Sequence, residues 1–349
     1  MEVRDDSDAR HAFNHHTVSQ PVSRLAALLL LALLLCGCAV PMARPNHVSA
    51  QPTVTDGHFS MADGTLLPYR AWLPAGPPRA VVLALHGMND SRDAWEYPAP
   101  DFPSAGIAVF SPDQRGFGAT PKRGNWSGSD DLAADARQMA TVLHARFPHT
   151  RLILMGESMG AAVLMLVATQ PPVLPVDGYI LVSPAVWERA EMTVLQRTLL
   201  WVLWHTVPEM KIVGSNFVRV KASDNREALL RLSEDPLTIF GTRVDSVHAM
   251  VDLMDAAVAA APHFKARGLF LYGGQDELIP KQAAANFWRA LPGGAREAYY
   301  PAGYHLLLRD HERITPIEDI LAWIAHPDLP LPSGADRAAA AWLREQARE

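Results

Sequence analysis

The stretch Arg151–Ala168 reads RLILMGESMGAAVLMLVA, two apolar runs joined by Gly-Glu-Ser-Met-Gly. The first run suits a strand buried on both faces, and the second, longer run suits a buried helix. The join is abrupt. Gly156 and Gly160 flank Ser158, and glycines are what a chain needs where it packs so closely that a Cβ would collide. A chain with this segment must set a strand against a helix through a strained turn. Ser158 then stands at the helix N-terminus, where the dipole favours developing negative charge.

The same alternation runs through the rest of the sequence. Short apolar runs at Leu66–Leu73, Ala80–Leu85, Ile107–Ser111, Arg151–Met155, Gly178–Val182, Gly268–Tyr272 and Glu297–Tyr300 read as strands. Helical patterns fall at Ser91–Ser104, Ser129–Phe147, Met159–Gln170, Lys281–Leu291 and Glu312–Ala325. Strand–helix alternation predicts an α/β fold with a mostly parallel central sheet flanked by helices. One stretch breaks the rhythm. Between Val186 and Phe264 only helical patterns and loops occur, which predicts a helical cap inserted between two strands. Trp201, Trp204, Met250 and Met254 recur there at helical spacing, a stripe that reads as the inner packing of a lid. The layout expected is a leader over 1–38, a flexible tether over 39–55, a core built from 56–184 and 263–326, a lid over 185–262 and a tail over 327–349. In that tail Ser333 stands where it could cap a short amphipathic helix.

The leader carries the chain's two cysteines, Cys36 and Cys38, at the end of the apolar run LAALLLLALLLCGCAV. Arg24 precedes the run and a proline-bearing segment follows it, as in a secretory signal. At about 16 residues the run falls short of the roughly 20 needed to span hydrocarbon. Leu35-Cys36-Gly37-Cys38 resembles the bacterial lipobox, and the resemblance implies that Cys38 becomes the acylated first mature residue. That implies a protein held by lipid on a bacterial envelope membrane, on the periplasmic side of the outer membrane. Plain secretion or a short uncleaved anchor are the alternatives. The His-bearing HAFNHH segment upstream of Arg24 is read as incidental rather than metal-binding. From Ala39 onward the chain has no cysteine, so a thiol nucleophile is excluded and no disulfide framework holds the fold. A formal net charge of −6 argues against nucleic acid as the partner.

Strand, G-x-S-x-G turn and helix are the setting of an activated serine. With further ordered motifs the sequence resembles the α/β-hydrolase family, in its monoacylglycerol lipase and lysophospholipase-like, serine aminopeptidase S33-type branch. The likeness spans Phe59 to Ile324 and rests on Leu85-His86-Gly87-Met88-Asn89, Pro112-Asp113-Gln114-Arg115-Gly116-Phe117-Gly118, the GESMGA elbow, and Gly274-Gln275-Asp276-Glu277-Leu278-Ile279-Pro280. Glu157 departs from the branch, which usually has His there.

A serine nucleophile needs a base, and the base needs an acid to fix its tautomer. Chain order in this fold is Ser, then acid, then His. Asp276 follows the apolar run GLFLY and is the expected acid, with Glu277 as the fallback; His305, after the last strand, is the expected base. The backbone amides of Met88 and Met159 are the expected oxyanion donors. His86 and Arg115 are read as structural loop residues. No cofactor or metal is expected. The function expected is carboxylic-ester hydrolysis of a lipid-like small molecule through an acyl-enzyme. A non-lipid substrate (peptide, lactone or thioester) and a non-catalytic binding lipoprotein are the alternatives, and oligomeric state is left open.

Overall fold

A computed structural model describes residues 51–172, 174–213 and 220–348. The leader, Cys36, Cys38 and the His-bearing segment lie outside the described residues. Strands occur in chain order as β1 (Thr53–Thr55), β2 (His58–Ser60), β3 (Leu66–Trp72), β4 (Ala80–Leu85), β5 (Ile107–Pro112), β6 (Arg151–Glu157), β7 (Gly178–Val182), β8 (Lys211–Ile212), β9 (Thr242–Arg243), β10 (Gly268–Gly273) and β11 (Arg296–Tyr300). Helices are α1 (Ser129–Arg146), α2 (Met159–Thr169), α3 (Val194–Thr206), α4 (Arg226–Glu234), α5 (Val244–Ala260), α6 (Lys281–Ala290), α7 (Ile314–Ala325) and α8 (Ala335–Glu345).

Nine strands form one sheet in the order β1-β2-β3-β5-β4-β6-β7-β10-β11. The first three strands and the β3–β5 pair are antiparallel; from β5 to β11 every pairing is parallel. Strands β4, β5 and β10 are buried at every position, as their unbroken apolar sequences require. Alternate residues serve opposite layers. Val81, Leu83 and Leu85 join one core cluster with α1, α2, α5 and α6, while Ala80, Val82 and Ala84 join another with α7. Strand order reverses direction at β4, between β5 and β6, so the crevice at the strands' carboxyl ends is where an open α/β sheet binds ligand.

Three expectations are corrected. The helical pattern at Ser91–Ser104 folds instead as three 3-10 turns, Arg92–Trp95, Ala99–Asp101 and Pro103–Ala105. Pro98, Pro100 and Pro103 lack the amide that a continuous helix needs. The last residues of the tether are a strand. Val54 pairs with Phe59 across an Asp56-Gly57 hairpin loop, with Gly57 at φ +91°. The segment over 185–262 is divided, since α5 packs on α2 and buries Val251, Leu253 and Met254 in the main core, whereas α3 buries no residue at all.

The tail is integral to the fold. Helix α8 covers the edge strand β11, and Trp342 stacks on Tyr299 with ring centres 4.7 Å apart. The same ring meets Trp288 edge-on at 5.2 Å. Ser333 acts just before the helix, accepting from Ala335 N–H at 3.0 Å, with Gly334 in the cap position. Because Trp342 is 4% exposed, Trp342→Ala is expected to cost about 3–5 kcal/mol. A urea titration checks this as a lower midpoint with an unchanged slope.

Candidate active site

Strand β6 ends at Glu157 and α2 begins at Met159, leaving Ser158 alone at the turn with φ +53° and ψ −113°. That is a strained conformation for a residue with a side chain. Its surroundings hold it. Ser158 N–H donates to Val182 O at 2.9 Å, and Ser158 O accepts from Ala162 and Ala185 N–H, each at 3.1 Å. A Cβ on Gly156 would lie 2.5 Å from the Gly160 carbonyl carbon, and one on Gly160 would lie 2.4 Å from Leu85 O. Both contacts are with backbone, so neither position has room for a side chain.

Residues expected to act together come from three loops at the carboxyl edge of the sheet. After β10, Asp276 Oδ1 accepts Leu278 and Ile279 N–H at 2.8 and 2.9 Å. This leaves Oδ2 for His305 Nδ1, at 2.8 Å. Both side chains are buried. His305 Nε2 has no hydrogen-bond partner among the described residues, and neither has Ser158 Oγ. Burial disfavours the charged imidazole, but the Asp276 carboxylate beside it outweighs that and raises the His305 pKa above its ordinary 6.5. Glu277, the fallback, is bonded elsewhere: its Oε2 accepts Lys221 N–H at 2.7 Å in an exposed position.

The loop after β4 passes against the nucleophile turn, for the place a Gly87 Cβ would take is 3.4 Å from Ser158 Cβ. Met88 N–H follows directly. Met159 N–H is the first amide of α2, which an α-helix leaves without an internal acceptor. His86 is structural: its Nε2 accepts Gln114 N–H at 3.0 Å and Nδ1 meets Gly87 O at 2.7 Å. Full burial lowers its pKa, only partly offset by Asp90. Arg115 is structural too. It grips Asp135 with Nε and Nη2, both at 2.8 Å, and Asp63 with Nη1 at 2.7 Å, binding its loop to α1 and to the β2–β3 turn.

Two features of the site were not anticipated. Arg309 Nη2 donates to both Asp90 and Glu157, next to the nucleophile. A carboxylate at the end of an apolar strand signals a buried partner, although not which one. The second feature is a strap from the inserted segment. Leu306 N–H donates to Ala222 O at 2.8 Å, Ser223 Oγ to Asp310 Oδ1 at 2.6 Å, and His311 N–H to Asp224 Oδ1 at 2.9 Å. His311 itself sits in the turn before α7. Thr242 Oγ1 and Ile239 N–H likewise hold Asn89, at 2.6 and 2.8 Å. Among the described residues no group of three His, Cys, Asp or Glu side chains could hold a metal ion.

The family model for serine aminopeptidase S33 matches residues 76–312, from the residues before β4 through the His305 loop. The chain belongs to that family. It is thus a serine hydrolase of the α/β-hydrolase fold. It is 24% identical over 290 residues to a monoglyceride lipase of Rattus norvegicus, covering 82% of this chain and 94% of the relative. It is 23% identical over 275 residues to a monoacylglycerol lipase of Mycolicibacterium smegmatis, covering 78% and 97%. A soluble variant of monoglyceride lipase from Saccharomyces cerevisiae, solved with a substrate analogue, shares the fold at TM-score 0.66 and 18% identity, covering 80% of this chain and 98% of that one.

The raised pKa makes a direct prediction. The imidazole of His305 should titrate above 6.5, and Asp276→Asn should move the midpoint down, read by NMR of the ring protons. The sign for stability follows: the pair's full contribution is present below 6.5 and fades as pH rises through the folded-state value.

Proposed function

We propose that the chain hydrolyses lipid-like carboxylic esters, of the monoacylglycerol or lysophospholipid class, through an acyl-enzyme. Ser158 Oγ attacks the acyl carbonyl while His305 Nε2 takes its proton, with Asp276 fixing the tautomer and steadying the imidazolium. Met88 and Met159 N–H receive the oxyanion. His305 returns the proton to the departing alcohol, then draws one from the water that releases the acid.

The observation carrying the lipid part is α3. Its sequence VLQRTLLWVLWHT is largely apolar, yet Val194, Leu195, Leu199 and Trp201 are 69%, 76%, 54% and 52% exposed. Trp204 turns inward and stacks on His248 at 4.1 Å, whereas Trp201 does not join the lid's inner packing. An apolar helix face left outward on the inserted segment suits a substrate held in a lipid aggregate. The names of the relatives point the same way. A peptide substrate has less support. Asp90 and Glu157, the carboxylates beside the elbow, are bonded by Arg309 rather than turned to an incoming α-ammonium. We further propose that Cys38 is acylated and holds the enzyme on the bacterial envelope, at the periplasmic face of the outer membrane.

Hydrolysis of nitrophenyl esters should fall by about 10⁶-fold in Ser158→Ala, and equal rates would refute the mechanism. An acyl-chain panel that includes an aminoacyl nitroanilide decides the substrate; preference for short chains or for the anilide would remove the lipid part. Leu195→Asp with Leu199→Asp should leave soluble-ester turnover within about 2-fold, while raising apparent KM for vesicle-borne monoacylglycerol by about 10-fold or more. Palmitate labelling lost in Cys38→Ala tests the anchor.

A further inference from the structure

Asp90, Glu157 and Arg309 form a buried ionic cluster that no step of the reaction above uses. Arg309 Nη2 lies 2.6 Å from Asp90 Oδ2 and 2.7 Å from Glu157 Oε2, with the three side chains 5%, 8% and 4% exposed in the order Arg309, Asp90, Glu157. Each comes from a different segment of the site, Glu157 from the end of β6 and the other two from the loops after β4 and β11. Asp90 is two residues past Met88, Glu157 adjoins Ser158, and Arg309 is four residues past His305. Burial disfavours the charged guanidinium, but the two carboxylates outweigh it and keep Arg309 protonated.

Stability alone is a weak reason for such a cluster, because apolar residues of similar volume fill a core at least as well. Geometry is the better reason. A guanidinium is planar and presents its donors in a rigid fork, so one nitrogen shared by two carboxylates fixes both at once. The members are also held from behind. Ser91 N–H donates to Asp90 Oδ1 at 2.8 Å, and Asn225 Nδ2 donates to Arg309 O at 2.9 Å.

We infer that Arg309 is a positioning residue that holds the oxyanion loop, the nucleophile turn and the base loop in one register through Asp90 and Glu157. This rests on the serine-hydrolase mechanism proposed above. The charged groups that face His305 are Asp276, Glu157 and Arg309; His86 faces Asp90 and Arg309 of the cluster and also Asp113. Glu157 favours the protonated imidazole and Arg309 disfavours it.

The test uses the full chain and the variants Glu157→Gln, Arg309→Gln and Arg309→Lys. Two rates are measured, fluorophosphonate labelling of Ser158 and turnover of a soluble nitrophenyl ester across the acid limb, with thermal melting to confirm folding. Loss of register should lower kcat and labelling together, by about 10-fold in Glu157→Gln and about 100-fold in Arg309→Gln, with KM within about 2-fold. In Glu157→Gln the acid limb of kcat/KM should move to lower pH, a change that a purely structural role would not produce. Arg309→Lys should recover part of the lost rate. If Arg309→Gln does not fold, Glu157→Gln decides. Folded Arg309→Gln labelled at the wild-type rate, or Glu157→Gln with kcat and acid limb unchanged, overturns the inference. A wild type that is neither labelled nor active instead overturns the serine-hydrolase mechanism, and the cluster's role with it.

Discussion

The close approach of α2 to β4 and β6 at Gly156 and Gly160 is the contact on which the carboxyl edge of the sheet depends. Backbone meets backbone there without side chains between, so the helix axis is fixed by the strands rather than by rotamers. The cost of that approach falls on Ser158, whose backbone takes an unfavourable conformation and is kept in it by three hydrogen bonds, two to the end of β7 and the residues after it and one within α2. A strained serine held by the sheet is a pre-organised one, since little of its geometry is left to be fixed when substrate arrives.

Charge is the second organising force. The sheet interior is apolar, but the loops at its carboxyl edge carry buried ionic groups that must be paired. They sort into separate sets. Arg115 ties its loop to Asp63 and Asp135, Arg309 bonds Asp90 and Glu157, and Asp276 pairs with His305. Within the third set Asp276 gives Oδ2 to His305, its other oxygen being taken by the Leu278 and Ile279 amides.

Much of this was legible from residue order. The parallel strands announced themselves as unbroken apolar runs, and the G-x-S-x-G turn between a strand and a helix marked Ser158 as the candidate nucleophile. Asp276 and His305 followed from chain order, because each directly follows a strand of the sheet. What stayed hidden depended on contacts distant in sequence or on local punctuation passed over. Glu157 and Arg309 are 152 residues apart, and nothing local in either says that they meet. Prolines at 98, 100 and 103 did carry the warning that Ser91–Ser104 was no helix, and Asp56-Gly57 was a hairpin signal. The outward face of α3 was hidden for another reason: an apolar stripe reads as buried unless its covering surface is known to be missing.

The strap at 221–225 makes the inserted segment an unequal structure. Its first helix, α3, has no buried side chain, while the strap is bonded to the very loops that carry His305 and Glu277. Grafting a whole foreign lid onto this core would therefore exchange scaffolding along with specificity. Replacing 187–213 and leaving 221–225 in place would keep the bonds that tie the insertion to the loops of His305 and Glu277.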